Sequence, residues 1–408
     1  MAFAFRCGYA DGGAAWGRDL AGVVRVLRGL ALLAAGVLLL ASCVGASVAP
    51  ASSKADATTE DNAAPTAVPK STPSPVAHPT VDPRLYAKLR VFVASESTDQ
   101  VWVLDGAPDA QYVLVGKIPV GRLPHQLSVS PDGRFVAVNN RMANTTSVID
   151  PIAMKEIARL PVGKQPHGII WSPDAKTLFV AHEKDNYISR FEAGTWKSLP
   201  PLMVGVPQHV LSIAAARPNE LWFTVTNSNE NDHLRVYDLD TKQITRVKVN
   251  DVHDVFFSPD GSEMWSSSSG FLDKPSDRMV IYDPIARTVK QEVHLKGRYP
   301  FHTLKPFQDG VYYPNNTSVM VVSDHLGPSL LWVDWRERSI VGETKLGNQP
   351  FHSTYDPEGD RMLVTTFVDG MVNVIDMKTR LVVQKLPVTK PHGIASVGIA
   401  APVSIVVP

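Results

Sequence analysis

From Leu89 onward, apolar and polar residues alternate in short runs such as Val101-Trp102-Val103-Leu104-Asp105 and Val372-Asn373-Val374-Ile375-Asp376. Period-two alternation with β-branched content predicts half-buried strands, and no long stretch carries helical period. Seven such runs end in an acid: Asp105, Asp150, Glu192, Asp238, Asp283, Asp334 and Asp376. An acid at that place is expected to cap the following turn by accepting backbone N–H groups. A second marker keeps the same register. His125, His167, His253 and His352 each lead through an apolar strand into a turn: Ser130-Pro131-Asp132-Gly133, Ser172-Pro173-Asp174, Ser258-Pro259-Asp260-Gly261 and Asp356-Pro357-Glu358-Gly359. Weaker copies follow His209 and His302, and His392 opens a seventh.

The steps between these histidines are 42, 42, 44, 49, 50 and 40 residues. A repeat of that length, made of several short strands, is the sequence form of propeller blades. Each blade reads as four strands: one from the histidine, one after the Pro-Asp-Gly turn, one ending at the acid, and one returning to the next histidine. The chain starts with strands two, three and four (around residues 91–93, 101–105 and 112–120) and finishes with strand one after His392. Six whole blades and this 3+1 composite predict an all-β, single seven-bladed β-propeller over residues 86–408. Closure by strands from both termini removes exposed sheet edges. The longer steps between His253 and His352 predict extended loops at residues 267–277 and 314–328.

The first 85 residues have a different texture. Arg18, Arg25 and Arg28 precede an apolar run from Leu30 to Ala41, the arrangement of a secretory signal. The run ends in Leu40-Ala41-Ser42-Cys43, which resembles the lipobox of bacterial lipoproteins. The resemblance implies cleavage after residue 42, acylation of Cys43, and a lipid-anchored protein outside the cytoplasm. An uncleaved membrane anchor and plain secretion are the alternatives. Residues 43–85 are rich in Ala, Ser, Thr and Pro and read as a disordered tether.

Composition removes several function classes. Lys+Arg and Asp+Glu both number 40, so no basic footprint for nucleic acid exists. Cys7 and Cys43 are the two cysteines. The propeller therefore has no disulfide, no thiolate metal site and no attached c-type haem. No Ser/His/Asp order, phosphate-cradling glycine loop or H-E-x-x-H motif occurs, so no catalytic residue is assigned and enzymatic activity is left open, leaning against it.

Val162-Gly163-Lys164-Gln165-Pro166-His167-Gly168, a strand, Ser172-Pro173-Asp174 and then Thr177-Leu178-Phe179-Val180-Ala181 together resemble the YVTN family of β-propeller repeats. The copies at 150–181 and 376–394 are the nearest to that pattern, and the resemblance spans residues 89–396. It implies an architecture shared with the haem-d1 propeller of nitrite reductase and the histidine-lined propeller of nitrous oxide reductase.

The candidate site is the set of His125, His167, His209, His253, His302, His352 and His392, expected at equivalent starts of the innermost strands around one channel mouth. Three readings stay open. Neutral imidazoles suit Zn or Cu. Arg122, Lys164, Arg298 and Lys390 precede their histidines closely and would favour a small anion, with a haem-like macrocycle as a weaker variant. Or each ring locks neighbouring blades through a backbone carbonyl. The expected function is a membrane-anchored binding propeller, monomeric, holding a metal ion or small anion and delivering it to an envelope partner. The alternative is a protein-interaction scaffold with structural histidines. His78, His182, His233, His294 and His325 share no register and read as surface or loop residues.

Overall fold

Strand two of each blade is buried on both faces, whereas strand four alternates between exposed and covered positions, as in Val136–Asn140 against Lys155–Pro161. That gradient is what radially stacked sheets require, with the inner strands sandwiched and the outer ones wetted on one side. A computed structural model describes residues 86–107, 109–214, 216–225, 233–258, 261–267, 276–304, 319–324 and 327–400. Residues 1–85, where the signal segment, the tether and Cys43 are expected, and most of residues 267–277 lie outside the described residues. The loop expected at 314–328 is corrected, because Val319–Asp324 is strand two of blade 5, buried along its whole length.

The described strands form seven four-stranded antiparallel sheets. Blades 1 to 6 are residues 124–161, 166–203, 208–247, 256–294, 300–345 and 350–387. Blade 7 has the order Pro391–Ala400, Tyr86–Ser95, Gln100–Gly106, Val113–Pro119. The seven-bladed count and the 3+1 closure therefore stand. Apolar clusters fill the gaps between blades. One joins Phe92, Val101 and Val103 of blade 7 to Val136, Val138 and Ile149 of blade 1. Another joins Trp332 of blade 5 to Tyr355 and Met362 of blade 6.

The strand-three acids act as turn caps at most positions. Asp150 Oδ1 accepts the N–H groups of Ile152 and Ala153 at 2.8 and 2.9 Å, and Asp238, Asp283 and Asp334 repeat the arrangement. Asp105 departs from the set. It takes a two-pronged contact from Arg90 at 2.7 and 2.8 Å, and Arg90 also donates to the Pro151 carbonyl of blade 1.

One irregularity positions the site. Pro124 pairs with Asn140 and Leu127 with Val138, so three steps on strand one face two on strand two. The same bulge recurs in blades 2, 3, 5, 6 and 7. A bulge redirects the side chains it contains, and six of the seven ring histidines stand in these bulges, whereas His253 precedes the short first strand of blade 4, Phe256–Phe257.

Candidate functional site

The turn into each bulge is set by backbone conformation. Leu123, Gln165, Asp251 and Lys390 have positive φ (57°, 51°, 54° and 44°) two residues before their histidines. His125, His167, His209 and His392 then occupy the first bulge position. In blades 5 and 6 the order is Pro-Phe-His, so Phe301 and Phe351 take that position and His302 and His352 stand one residue later. The expectation of strict equivalence is corrected accordingly. The side chain of His302 lies outside the described residues.

The described rings form a continuous file across consecutive blades. Centroid separations are 4.9 Å for His352–His392, 3.7 Å for His392–His125 and 4.7 Å for His125–His167. They continue at 3.7 Å for His167–His209 and 4.6 Å for His209–His253. His253, His209, His167, His392 and His125 are 2 to 7 % exposed. The glycine of Pro-His-Gly permits this closeness. A Cβ on Gly168 would meet the His209 carbonyl oxygen at 2.5 Å, and one on Gly393 would meet that of His125 at 2.5 Å. Side chains of strand two hold the histidine carbonyls: Asn139 Nδ2 donates to His167 O and Thr365 Oγ1 to His392 O, both at 2.8 Å.

The imidazole nitrogens mostly meet carboxylates. His125 Nδ1 is 2.5 Å from Glu96 Oε1, His209 Nδ1 is 2.8 Å from Glu183 Oε1, and His253 Nδ1 is 2.7 Å from Asp254 Oδ1. His167 differs, with Nδ1 3.2 Å from the His209 carbonyl oxygen, the contact expected of a structural lock. Two sets bring ligand-type atoms within 4.8 Å of one another: Glu96, His125 and His392; and His167, Glu183 and His209. Two imidazoles and one carboxylate are a zinc-type donor set that leaves a coordination position open. In a tetrahedral site with bonds of 2.0–2.2 Å the donors stand about 3.4 Å apart, so these atoms need to shift by roughly an ångström.

The two sets differ electrically. Glu183 also accepts from Arg141, through Nε at 3.1 Å and through a second guanidinium nitrogen. Burial opposes its ionisation, yet His209 and Arg141 hold its carboxyl well below the usual carboxylate range. Burial pushes His209 down to about 4 against the opposing pull of Glu183. Burial, with His209 and His125 alongside, also keeps His167 well below the ordinary imidazole range. Glu96, whose side chain is 10 % exposed, has His125 as its ionic partner among the described residues. A half-buried carboxylate whose one ionic partner among the described residues is an imidazole favours the arrival of a cation. His209 Nε2 lies 2.8 Å from His253 Nε2, which joins their two carboxylate contacts into one Glu183–His209–His253–Asp254 file.

The four basic candidates are exposed or paired with acids. Arg122, Lys164 and Lys390 are exposed. Arg298 pairs with Asp324 at 2.8 Å and with Glu343 at 3.0 Å. The carboxylates that do reach the ring escape sequence reading. Glu96 and Glu183 sit just beyond strand two, the place taken by Arg141 in blade 1 and Phe367 in blade 6. The signal is a residue sixteen positions after the first bulge residue, at 141, 183 and 367. His182 is also corrected. It is fully buried, its Nε2 accepts the Gly163 N–H at 3.0 Å, and Nδ1 donates to Tyr187 O at 2.9 Å. His233 Nδ1 accepts the Asp251 N–H at 2.9 Å. His294 is exposed, as expected, and pairs with Asp277. His78 and His325 lie outside the described residues.

Solved structures of the same fold include hydrazine synthase from Kuenenia stuttgartiensis, 17 % identical with a TM-score of 0.59, over 74 % of this chain and 98 % of that one. Dihydro-heme d1 dehydrogenase NirN in complex with DHE is 15 % identical with a TM-score of 0.55, over 79 % of this chain and 82 % of that one. Apo AztD from Citrobacter koseri is 15 % identical with a TM-score of 0.55, over 76 % and 98 %. Identities this low establish the shared fold. No curated protein sequence matches the chain. The model of the YNCE-like beta-propeller family matches residues 60–402, and the chain belongs to that family.

Proposed function

We propose that this protein is an extracytoplasmic binding propeller that holds a divalent transition cation, Zn²⁺ or Cu²⁺, at the histidine–carboxylate ring, and that acylated Cys43 anchors it to the membrane. The observation carrying this reading is the convergence of the half-buried Glu96 with the buried His125 and His392. The carboxylates at the rings favour a cation there over the small-anion alternative, whose candidates are Arg122, Lys164, Arg298 and Lys390. The Glu96 cluster is the stronger of the two sets, since at Glu183 a cation competes with Arg141. Delivery to an envelope partner remains the proposed use of the bound ion.

Titration calorimetry of untagged, chelator-stripped protein with ZnCl₂ and CuCl₂ tests this. One tight equivalent per chain is expected in the wild type, and its loss in the His125→Ala/His392→Ala variant. Absence of saturable binding, or unchanged affinity in that variant, contradicts the reading. The lock also has an observation of its own, the His167 Nδ1 contact with His209 O. His167→Ala is therefore expected to lower the melting temperature while the tight equivalent at Glu96 persists.

A further inference from the structure

The joint between blades 6 and 7 departs from the repeat on both faces. Three residues before the strand-three acid, other blades carry residues such as Ser147, Ser189 and Asn373, but blade 7 carries Trp102. Just beyond strand two, where Glu96 and Glu183 stand elsewhere, blade 6 carries Phe367. The positive-φ turn residue before the ring histidine is Leu123 or Gln165 in other blades and Lys390 here. These substitutions meet at one place. Trp102, Phe367, Leu104, Leu114, Leu386 and Val388 line a half-open cavity of about 540 Å³, a volume in the range of small-molecule sites.

Its polar equipment has one sign. Lys117 Nζ stands 3.6 Å from the centre of the Trp102 ring, and Lys390 Nζ stands 4.8 Å from that of Phe367. Both lysines line the cavity and no acidic residue does. The indole N–H of Trp102, shielded from water, has no hydrogen-bond acceptor among the described residues. An ammonium over an aromatic face keeps its other N–H directions available to an anion. Apolar walls reward burial of a hydrocarbon body in proportion to its area, and aromatic walls favour a flat one.

We propose that this cavity is a second ligand site, which takes a small organic anion with a flat apolar body and a carboxylate or sulfonate head paired to Lys117 and Lys390. It is distinct from the cation clusters in residues and in charge, although it adjoins them. Phe367 stands edge-on to His392 at 6.1 Å, and the Glu96 N–H donates to Lys390 O at 3.2 Å.

The test uses two fluorescent probes on the purified full-length chain: 8-anilinonaphthalene-1-sulfonate and neutral N-phenyl-1-naphthylamine. One saturable sulfonate site is expected, with energy transfer from tryptophan that falls in Trp102→Phe. Both lysines are exposed, so Lys117→Ala/Lys390→Ala should keep the fold, as its melting curve will show. That variant is expected to weaken the sulfonate at least about tenfold, the scale of one charged contact, and to leave the neutral probe within about threefold. No saturable binding, sulfonate affinity unchanged in the double variant, or equal loss of both probes overturns the proposal.

Discussion

A methyl group at residue 168 or 393 is enough to separate two blades. Each of these glycines faces the carbonyl oxygen of the next ring histidine at a spacing no Cβ tolerates. Gly168→Ala must push strand one of blade 2 away from blade 3, and overpacking of this kind costs about 1–3 kcal/mol, visible as a lower denaturation midpoint. A change of charge acts differently. Glu96→Gln keeps the shape and the hydrogen bond to His125 but removes the anion, so Zn²⁺ affinity should fall at least about tenfold, the scale of one charged contact, with little change in stability. Unchanged affinity by calorimetry would remove Glu96 from the site. At this scale the histidines were legible because the repeat prints them seven times. Their carboxylate partners were not, because Glu96 and Glu183 occupy a position that is Arg141 or Phe367 in other blades. Position in the repeat predicted where a side chain would lie, and only the fold showed which charges meet there.

Most strands and turns follow from their local chemistry, and the exceptions have local causes. The turn-capping role of the acids follows from a carboxylate two residues before free N–H groups, and it holds at Asp150, Asp283 and Asp334. It fails at Asp105, where the connection to strand four is longer, its own tight turn lies further on (the Ala110 N–H donates to Ala107 O at 3.0 Å), and Arg90 claims the carboxylate. His182 was misread because its role is local to one blade: it ends strand two, where Asn140 and Thr366 stand elsewhere, and bonds across its own turns. The bulges were invisible, since a one-residue slip leaves the apolar pattern on each side intact. The connection of blade 7 also forms a latch. Tyr112 exchanges backbone hydrogen bonds with the Gln384 side chain at 2.9 and 2.7 Å, and its hydroxyl donates to Asp356 at 2.5 Å. Tyr112→Phe leaves a buried carboxylate short of a donor and should cost about 1–3 kcal/mol. A denaturation midpoint equal to wild type would show that the latch contributes nothing.

The whole ring stands or falls with its closure and with the protonation of its histidines. The terminal strand Pro391–Ala400 supplies both the inner strand of blade 7 and His392. Its removal should expose the edge at Tyr86–Ser95 and yield an aggregating, poorly folded chain in sedimentation and circular dichroism. The 3+1 closure was legible as strand arithmetic from the two ends of the sequence. Acid should act on the same structure through the imidazoles. Burial lowers the folded-state values of His167 and His209, the latter to about 4, while an unfolded histidine titrates near about 6.5. Below that value the unfolded chain binds protons that the folded ring refuses. The stability contribution is thus full above about pH 6.5 and is lost as pH falls toward about 4. Thermal melts should show a drop between those limits that His167→Ala and His209→Ala reduce. An equal acid response in the variants would move its cause away from the ring.

The most direct measurement is anomalous X-ray diffraction at the zinc edge from crystals of untagged protein equilibrated with Zn²⁺. A peak bonded to Glu96, His125 and His392 at about 2.0–2.2 Å is expected, with the Glu96–His125 hydrogen bond opened to admit it. No peak at the ring, with Glu96 and His125 still hydrogen-bonded, would contradict the cation-site reading.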